Sequence, residues 1–289
     1  MNDHRFVFVC GLQRSGTTML YRYLSEHPEI SKLEGTARKG NEGQHNQTVY
    51  PDPDKLGRAG RFAFLPEARL TEDSPLVTAA NREKLFAEWA RYWDLEKPVL
   101  MEKSPPNIIR SRFLQAMFPE SWFVFITRHP IAVSCATQKW SDTRPRSLVR
   151  HWLAAHRLMV EDIPHLRRAH VIRYEDLVAD PDAVLARTFG FLGLDDFDAQ
   201  RQVAEGINQD NFYADRTLRT GVNDKYFTQW RSPARRSTPV RRLYYQMVDR
   251  GYERAVGRFG YSMLHPERLS EPSVALPGVG RPTAEPVRL

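Results

Sequence analysis

The chain has 289 residues, a formal net charge of +7 and an ordinary globular composition. Its two cysteines, Cys10 and Cys135, exclude a disulfide framework, and no apolar run approaches the roughly 20 residues of a membrane span. That length suits one large α/β domain or two small ones, and the basic balance favours an anionic partner.

Arg5 to Cys10 (RFVFVC) is β-branched and aromatic, ends at Gly11 and predicts a short buried strand. It is too short for a signal peptide, so with the two thiols a cytoplasmic protein is expected. Gly11 to Gly16 is a loop, and Thr17 to His27 predicts a helix that stops at Pro28. Residues 31–60 are polar and Gly-rich, a long irregular stretch of a kind that compact domains keep for a purpose. A helix over 79–94 and a strand over Pro98–Met101 follow, then a helix near 107–117 and a strand over Trp122–Thr127. Arg128–His129–Pro130 turns the chain into a helix near 131–139, and a further helix covers about 147–161. His170 to Tyr174 predicts a strand. Asp180 and Pro181 are an N-cap and a first-turn proline for a helix running to about Leu192, closed by Gly193. Residues 206–235 read as irregular, and a last helix covers about 237–258. The expected domain is 1–268; residues 269–289, with little apolar content, are expected to be disordered. Strands alternating with helices predict an α/β fold, a central parallel sheet with helices on both faces.

The strongest chemical signal is Gly11–Leu12–Gln13–Arg14–Ser15–Gly16–Thr17–Thr18 between a strand and a helix. Its glycines match the phosphate-loop pattern G-x-x-x-x-G-K-S/T, and so does Thr18, but Thr17 takes the place of the lysine. Backbone N–H groups still make an anion cradle there, without the ammonium that reaches β- and γ-phosphates. Such a loop suits one phosphate rather than a triphosphate, with Gln13, Arg14, Ser15, Gly16, Thr17 and Thr18 around it. A second signal is the run from Trp122 to Pro130, where a buried strand delivers Arg128 to its carboxyl end. Ser134 and Thr137 follow on the next helix, and arginine plus a hydroxyl makes a clamp for a second phosphate.

Both motifs resemble those of sulfotransferases that use 3'-phosphoadenosine-5'-phosphosulfate (PAPS). The first loop is similar to the family's G-x-P-R-S-G-T-T loop for the 5'-phosphosulfate, with Gln13 where proline is frequent. The second resembles the 3'-phosphate motif, a strand ending in Arg-x-Pro and a later serine. The family often places that serine where this chain has Ala136; Ser134 and Thr137 flank it, so either hydroxyl is a candidate. Val171 to Pro181 (VIRYEDLVADP) and Phe191 to Leu194 resemble scaffold segments of the same family. Residues 219–230 resemble its late loop over the nucleotide, with Arg219, Lys225 and Trp230 as candidates for adenine or 3'-phosphate contacts. The resemblance implies a P-loop-containing nucleoside-triphosphate-hydrolase-like fold and PAPS as co-substrate. No metal is expected, since the chemistry needs none and no Cys/His cluster has metal-ligand spacing. A small-molecule or glycan acceptor is expected, with no nucleic-acid partner and no membrane span.

Sulfuryl transfer is an in-line displacement that needs a base for the acceptor proton and positive charge at the leaving oxygen. Lys103, after the strand PVLME, is the candidate for that charge, in a Glu102–Lys103–Ser104–Pro105 run that resembles a lysine segment of several sulfotransferase groups. The base is expected in the irregular stretch after the first helix, where Glu42, His45 and Glu34 compete in that order. The run around Glu42 and His45 resembles the E-G-Q-H run of a bacterial sulfotransferase-like group. The competing enzyme reading is a P-loop kinase or NTPase with a lysine-less loop, which needs a Mg²⁺-holding carboxylate where this chain has Arg128. A nucleic-acid binder rests on net charge alone, and an inactive nucleotide-binding relative is the fourth reading.

Overall fold

The structure is a computed structural model that describes residues 4–36, 40–52, 56, 59–198 and 223–279. Five strands form one parallel sheet: β1 (Arg5–Cys10), β2 (Ile30–Lys32), β3 (Val99–Lys103), β4 (Ser121–Thr127) and β5 (Ala169–Arg173), in the order β2-β3-β1-β4-β5. The α/β class with a central parallel sheet is as expected from the alternation of elements, and β1 lies at the middle of the sheet and feeds the glycine loop and α1.

Side chains alternate across a strand, and β1 shows the consequence. Phe6, Phe8 and Cys10 join one buried cluster while Val7 and Val9 join another. The Val7 side is covered by α1 (Thr17–Ser25), α6 (Tyr174–Ala179) and α7 (Pro181–Leu192), which bring Leu20, Leu24, Leu177, Leu185 and Phe189. The Phe8 side is covered by α2 (Ala79–Ala90), α3 (Ser111–Met117), α4 (Pro130–Thr137) and α5 (Pro145–Asp162), with Trp89, Phe113, Ile131 and Trp152. Two last helices, α8 (Asp224–Arg231) and α9 (Pro239–Gly257), add Trp230 and Val248 to that side. Among the described residues, no helix is long and apolar enough to cross a membrane.

Several elements depart from the sequence reading. The strand expected at Pro98–Met101 continues to Lys103, so Lys103 pairs with Val9 inside the sheet. Within residues 206–235, expected to be irregular, Asp224–Arg231 is a helix whose buried Trp230 faces the core. Residues 269–279, expected to be disordered, pack instead along the β5 edge. The Val171 N–H donates to the Pro277 carbonyl at 2.6 Å, Arg173 Nη1 donates to the Ser270 carbonyl at 3.1 Å, and Leu276 is buried. An open sheet edge offers unpaired backbone groups, and a polar strap can satisfy them with few apolar residues.

Candidate active site

In parallel α/β sheets ligands meet the carboxyl ends of the strands. Here the ends of β3, β1 and β4 are neighbours, which places Lys103, the Gly11–Thr18 loop and Arg128 along one edge. The loop's tight path depends on small residues. A Cβ at Gly11 would lie 2.6 Å from the Ile126 carbonyl oxygen, and one at Gly16 would lie 2.6 Å from the Tyr174 ring. Gly16 sits at φ 104° and caps α1 without a side chain, which leaves the helix N-terminus facing outward as an anion-binding end. Arg14 also has positive φ, at 69°, and its guanidinium stacks on Trp140 with a centroid distance of 4.6 Å. Gln13 and Thr18 are half-buried and Thr17 is buried. Ser15 departs from its expected role: its hydroxyl is buried and donates to the Leu12 carbonyl at 2.6 Å, so it closes the loop rather than facing a ligand.

Arg128 reaches the mouth of this loop. Its Nη1 donates to the Arg14 carbonyl at 3.2 Å, its Nε donates to Asn223 Oδ1 at 2.9 Å, and its guanidinium lies 3.9 Å from the Tyr174 ring centroid. Asn223 in turn donates to Glu175 Oε1 at 2.7 Å. The same carboxylate takes the His129 N–H at 3.0 Å and the Tyr261 hydroxyl at 3.0 Å. Glu175 and Tyr174 thus hold the arginine in place from the segment read as scaffold. His129 completes the strand end: its Nδ1 accepts the Ile131 N–H and caps α4. Burial drives its pKa down to about 3, so the ring is neutral.

On α4, Ser134 and Thr137 are one turn apart and share a helix face, whereas Ala136 is fully buried on another. The Ser134 hydroxyl is buried and has no hydrogen-bond partner among the described residues. A buried polar group without a partner costs stability unless a ligand supplies one. Lys225 is exposed on α8. Trp230 is not a nucleotide contact: it is buried, its indole N–H donates to Asp249 Oδ1 at 2.8 Å, and its ring packs edge-on to Tyr245. A large apolar ring with one donor is best satisfied in a core that offers one acceptor. Arg219 lies outside the described residues.

The third group gathers at the end of β3. Lys103 is buried and its Nζ donates to Glu42 Oε1 at 2.9 Å. Gln44 Nε2 donates to Glu42 Oε2 at 2.5 Å, and His45 Nε2 stands 3.7 Å from that same oxygen. His45 Nδ1 is 2.9 Å from Asp52 Oδ2. Glu34 is not part of this group. It is exposed and pairs with Lys32 at 3.2 Å, because the chain leaves β2 toward the surface.

Glu102 builds the turn that carries Glu42 and His45. It points to the opposite face of β3 from Lys103, is fully buried, and takes the Gly43 N–H at 2.8 Å, the Ser104 hydroxyl at 2.5 Å and the Asn107 amide at 2.6 Å. Burial raises its pKa and these three donors pull it back. Trp89 secures the Gly43 carbonyl with a 3.0 Å bond. Glu102, Gln44, Asp52, Glu175, Tyr174 and Asn223 were not singled out as functional from sequence. Glu102, Gln44, Tyr174, Glu175 and Asn223 lie inside runs named there for other reasons, whereas Asp52 carries no sequence signal. Among the described residues, no three His, Cys, Asp or Glu side chains gather as a metal site.

Similarity to known proteins is extensive. The sulfotransferase family pattern matches residues 7–199. The nodulation protein NoeE of Sinorhizobium fredii is 26% identical over 256 residues, which covers 78% of this chain and 59% of that protein. Protein-tyrosine sulfotransferase 2 of Gallus gallus is 25% identical over 198 residues, covering 65% of this chain and 51% of the relative. The chain therefore spans between half and three fifths of the length of these two relatives. Among solved structures, a mouse sulfotransferase complexed with PAP is 14% identical with a TM-score of 0.48, covering 88% of this chain and 84% of its own. The sulfotransferase domain of a Synechococcus olefin synthase is 21% identical with a TM-score of 0.47, covering 79% of this chain and 88% of that domain. The matched span runs from β1 past α7 and holds the phosphate-type loop, the arginine at the end of β4 and the lysine at the end of β3: the chain belongs to the sulfotransferase family.

Proposed function

We propose that the chain transfers a sulfuryl group from PAPS to an acceptor hydroxyl of a small molecule or glycan, releasing adenosine 3',5'-bisphosphate. The observation that carries this reading is the 3.2 Å bond between Arg128 and the loop carbonyl of Arg14, which brings that guanidinium to the mouth of the glycine loop and supports two neighbouring anion sites there. The loop and the open end of α1 would take the 5'-phosphosulfate. Arg128, with the unpartnered Ser134 hydroxyl and Thr137, would take the 3'-phosphate. Lys103 would place its ammonium at the bridging oxygen as the sulfur–oxygen bond breaks, and the acceptor proton would pass to Glu42 or His45. The kinase reading lacks support, since β4 delivers an arginine where that chemistry needs a Mg²⁺ ligand.

The test has two arms. Calorimetry is expected to show binding of adenosine 3',5'-bisphosphate with no need for Mg²⁺, and mass spectrometry is expected to show transfer from labelled PAPS to a member of a hydroxyl panel. Lys103→Ala is expected to lose transfer by about 10²-fold or more while keeping the bisphosphate. Absence of bisphosphate binding, or tight Mg²⁺-dependent ATP binding instead, defeats the proposal.

A further inference from the structure

Deepening the sulfuryl-transfer reading and resting on it, we infer that Asp52 is a positioning residue that sets the tautomer of His45 and makes His45 Nε2 the base. Asp52 Oδ2 lies 2.9 Å from His45 Nδ1, and both side chains are largely buried, at 18% and 10% exposure. A carboxylate can only accept, so the ring proton sits on Nδ1 and the lone pair is left on Nε2. That nitrogen accepts from Gln44 Nε2 at 3.3 Å in this tautomer and stands 3.7 Å from Glu42 Oε2.

Glu42 takes Lys103 on one oxygen and Gln44 on the other. It serves to hold the lysine ammonium near the reacting centre. The path from His45 back to Asp52 is built rather than loose. Gln47 accepts the N–H groups of Val49 and Tyr50 at 2.7 and 2.8 Å and donates to the carbonyls of Gln44 and Tyr50. The next carbonyl, of Pro51, accepts from the buried Arg110 at 3.3 Å. The charged and titratable groups around this dyad are Glu42, Lys103 and Glu102 on the β3 side and Tyr50 and Arg110 on the other.

In the step itself, His45 Nε2 takes the acceptor hydroxyl proton as that oxygen bonds to sulfur. The bond from sulfur to the 5'-phosphate oxygen breaks, and its electron pair leaves on that oxygen beside Lys103. Asp52 stabilises the imidazolium, which then returns its proton to water.

The experiment compares wild type with Asp52→Asn and Asp52→Glu. Long-range nitrogen–proton NMR of the histidine rings is expected to show the Nδ1–H tautomer at His45 in the wild type and its loss in Asp52→Asn. The kcat of Asp52→Asn is expected to fall about 10²- to 10⁴-fold, with the acid limb of its kcat–pH profile moved to lower pH and bisphosphate affinity within about twofold of wild type. Asp52→Glu, which restores a carboxylate, is expected to recover part of the rate. A wild-type ring protonated on Nε2 alone, or an Asp52→Asn enzyme with unchanged kcat and profile, overturns the inference. Failure of the sulfuryl-transfer reading shows separately, as wild-type protein that binds no bisphosphate and transfers nothing.

Discussion

Single side chains at this site separate binding from folding. The Ser134 hydroxyl is buried without a partner among the described residues, so Ser134→Ala removes no hydrogen bond within them. Thermal unfolding of Ser134→Ala is expected at or slightly above the wild-type midpoint. Its affinity for adenosine 3',5'-bisphosphate is expected to fall about 10-fold or more by calorimetry, the worth of one hydrogen bond to a charged group. Gly43 shows the opposite case. A Cβ there would lie 2.6 Å from Glu102 Cγ and 2.7 Å from its Oε1. Gly43→Ala is expected to cost about 1–3 kcal/mol in urea unfolding, the range for overpacking a buried site. It is also expected to lower transfer, because Glu42 and His45 flank that glycine on the same turn.

At the scale of elements, α5 carries two buried imidazoles whose pKa values are pushed down by burial, His151 to about 3 and His156 to about 4. Both rings are neutral in the fold, and their Nε2 atoms are buried without partners among the described residues. Between the unfolded value near 6.5 and these folded values, the unfolded chain takes up protons that the native chain refuses. Their contribution is therefore whole above about pH 6.5 and is lost as the pH falls toward 4 and then 3. Each ring removes about 1.4 kcal/mol per pH unit in that window. Urea midpoints measured between about pH 7 and pH 5 are expected to show this slope, and His151→Leu is expected to flatten it by the share of one ring. Element identity itself was largely legible. β1 and β4 are built on runs of buried apolar residues, β5 on Val171 and Ile172, and α7 announces itself through the Asp180 cap, Pro181 and the left-handed Gly193. β2 was not legible, because three residues that pair on one side only carry no period of their own. The short α6 was hidden behind β5, because it starts at Tyr174 directly after Arg173 with no glycine or proline between.

The whole molecule explains the last stretch of described chain. Residues 269–279 shield the β5 edge of the sheet, with Ser270 bonded to Gly260 and Ser273 to Arg258 beside the contacts at Val171 and Arg173. Deleting residues 269–289 is expected to lower stability by several kcal/mol, at about 1 kcal/mol per hydrogen bond lost. Calorimetric unfolding measures that cost, and light scattering is expected to show self-association through the uncovered strand. Composition alone gave the wrong expectation here, since it counts apolar residues and cannot see a partner that needs backbone donors and acceptors. What the linear chain settled without help is the alternation of strands and helices, the glycine loop before α1, and the cationic residues at the strand ends, Lys103 and Arg128. These are local: glycine spacing, buried runs and caps act over a few residues. Asp52 against His45, Glu102 under Gly43, Glu175 behind Asn223 and Arg128, and the surface position of Glu34 were decided only in three dimensions. Hydrogen-bond partners come from whichever chain segments the packed sheet brings within 3 Å, and sequence separation holds no record of that distance.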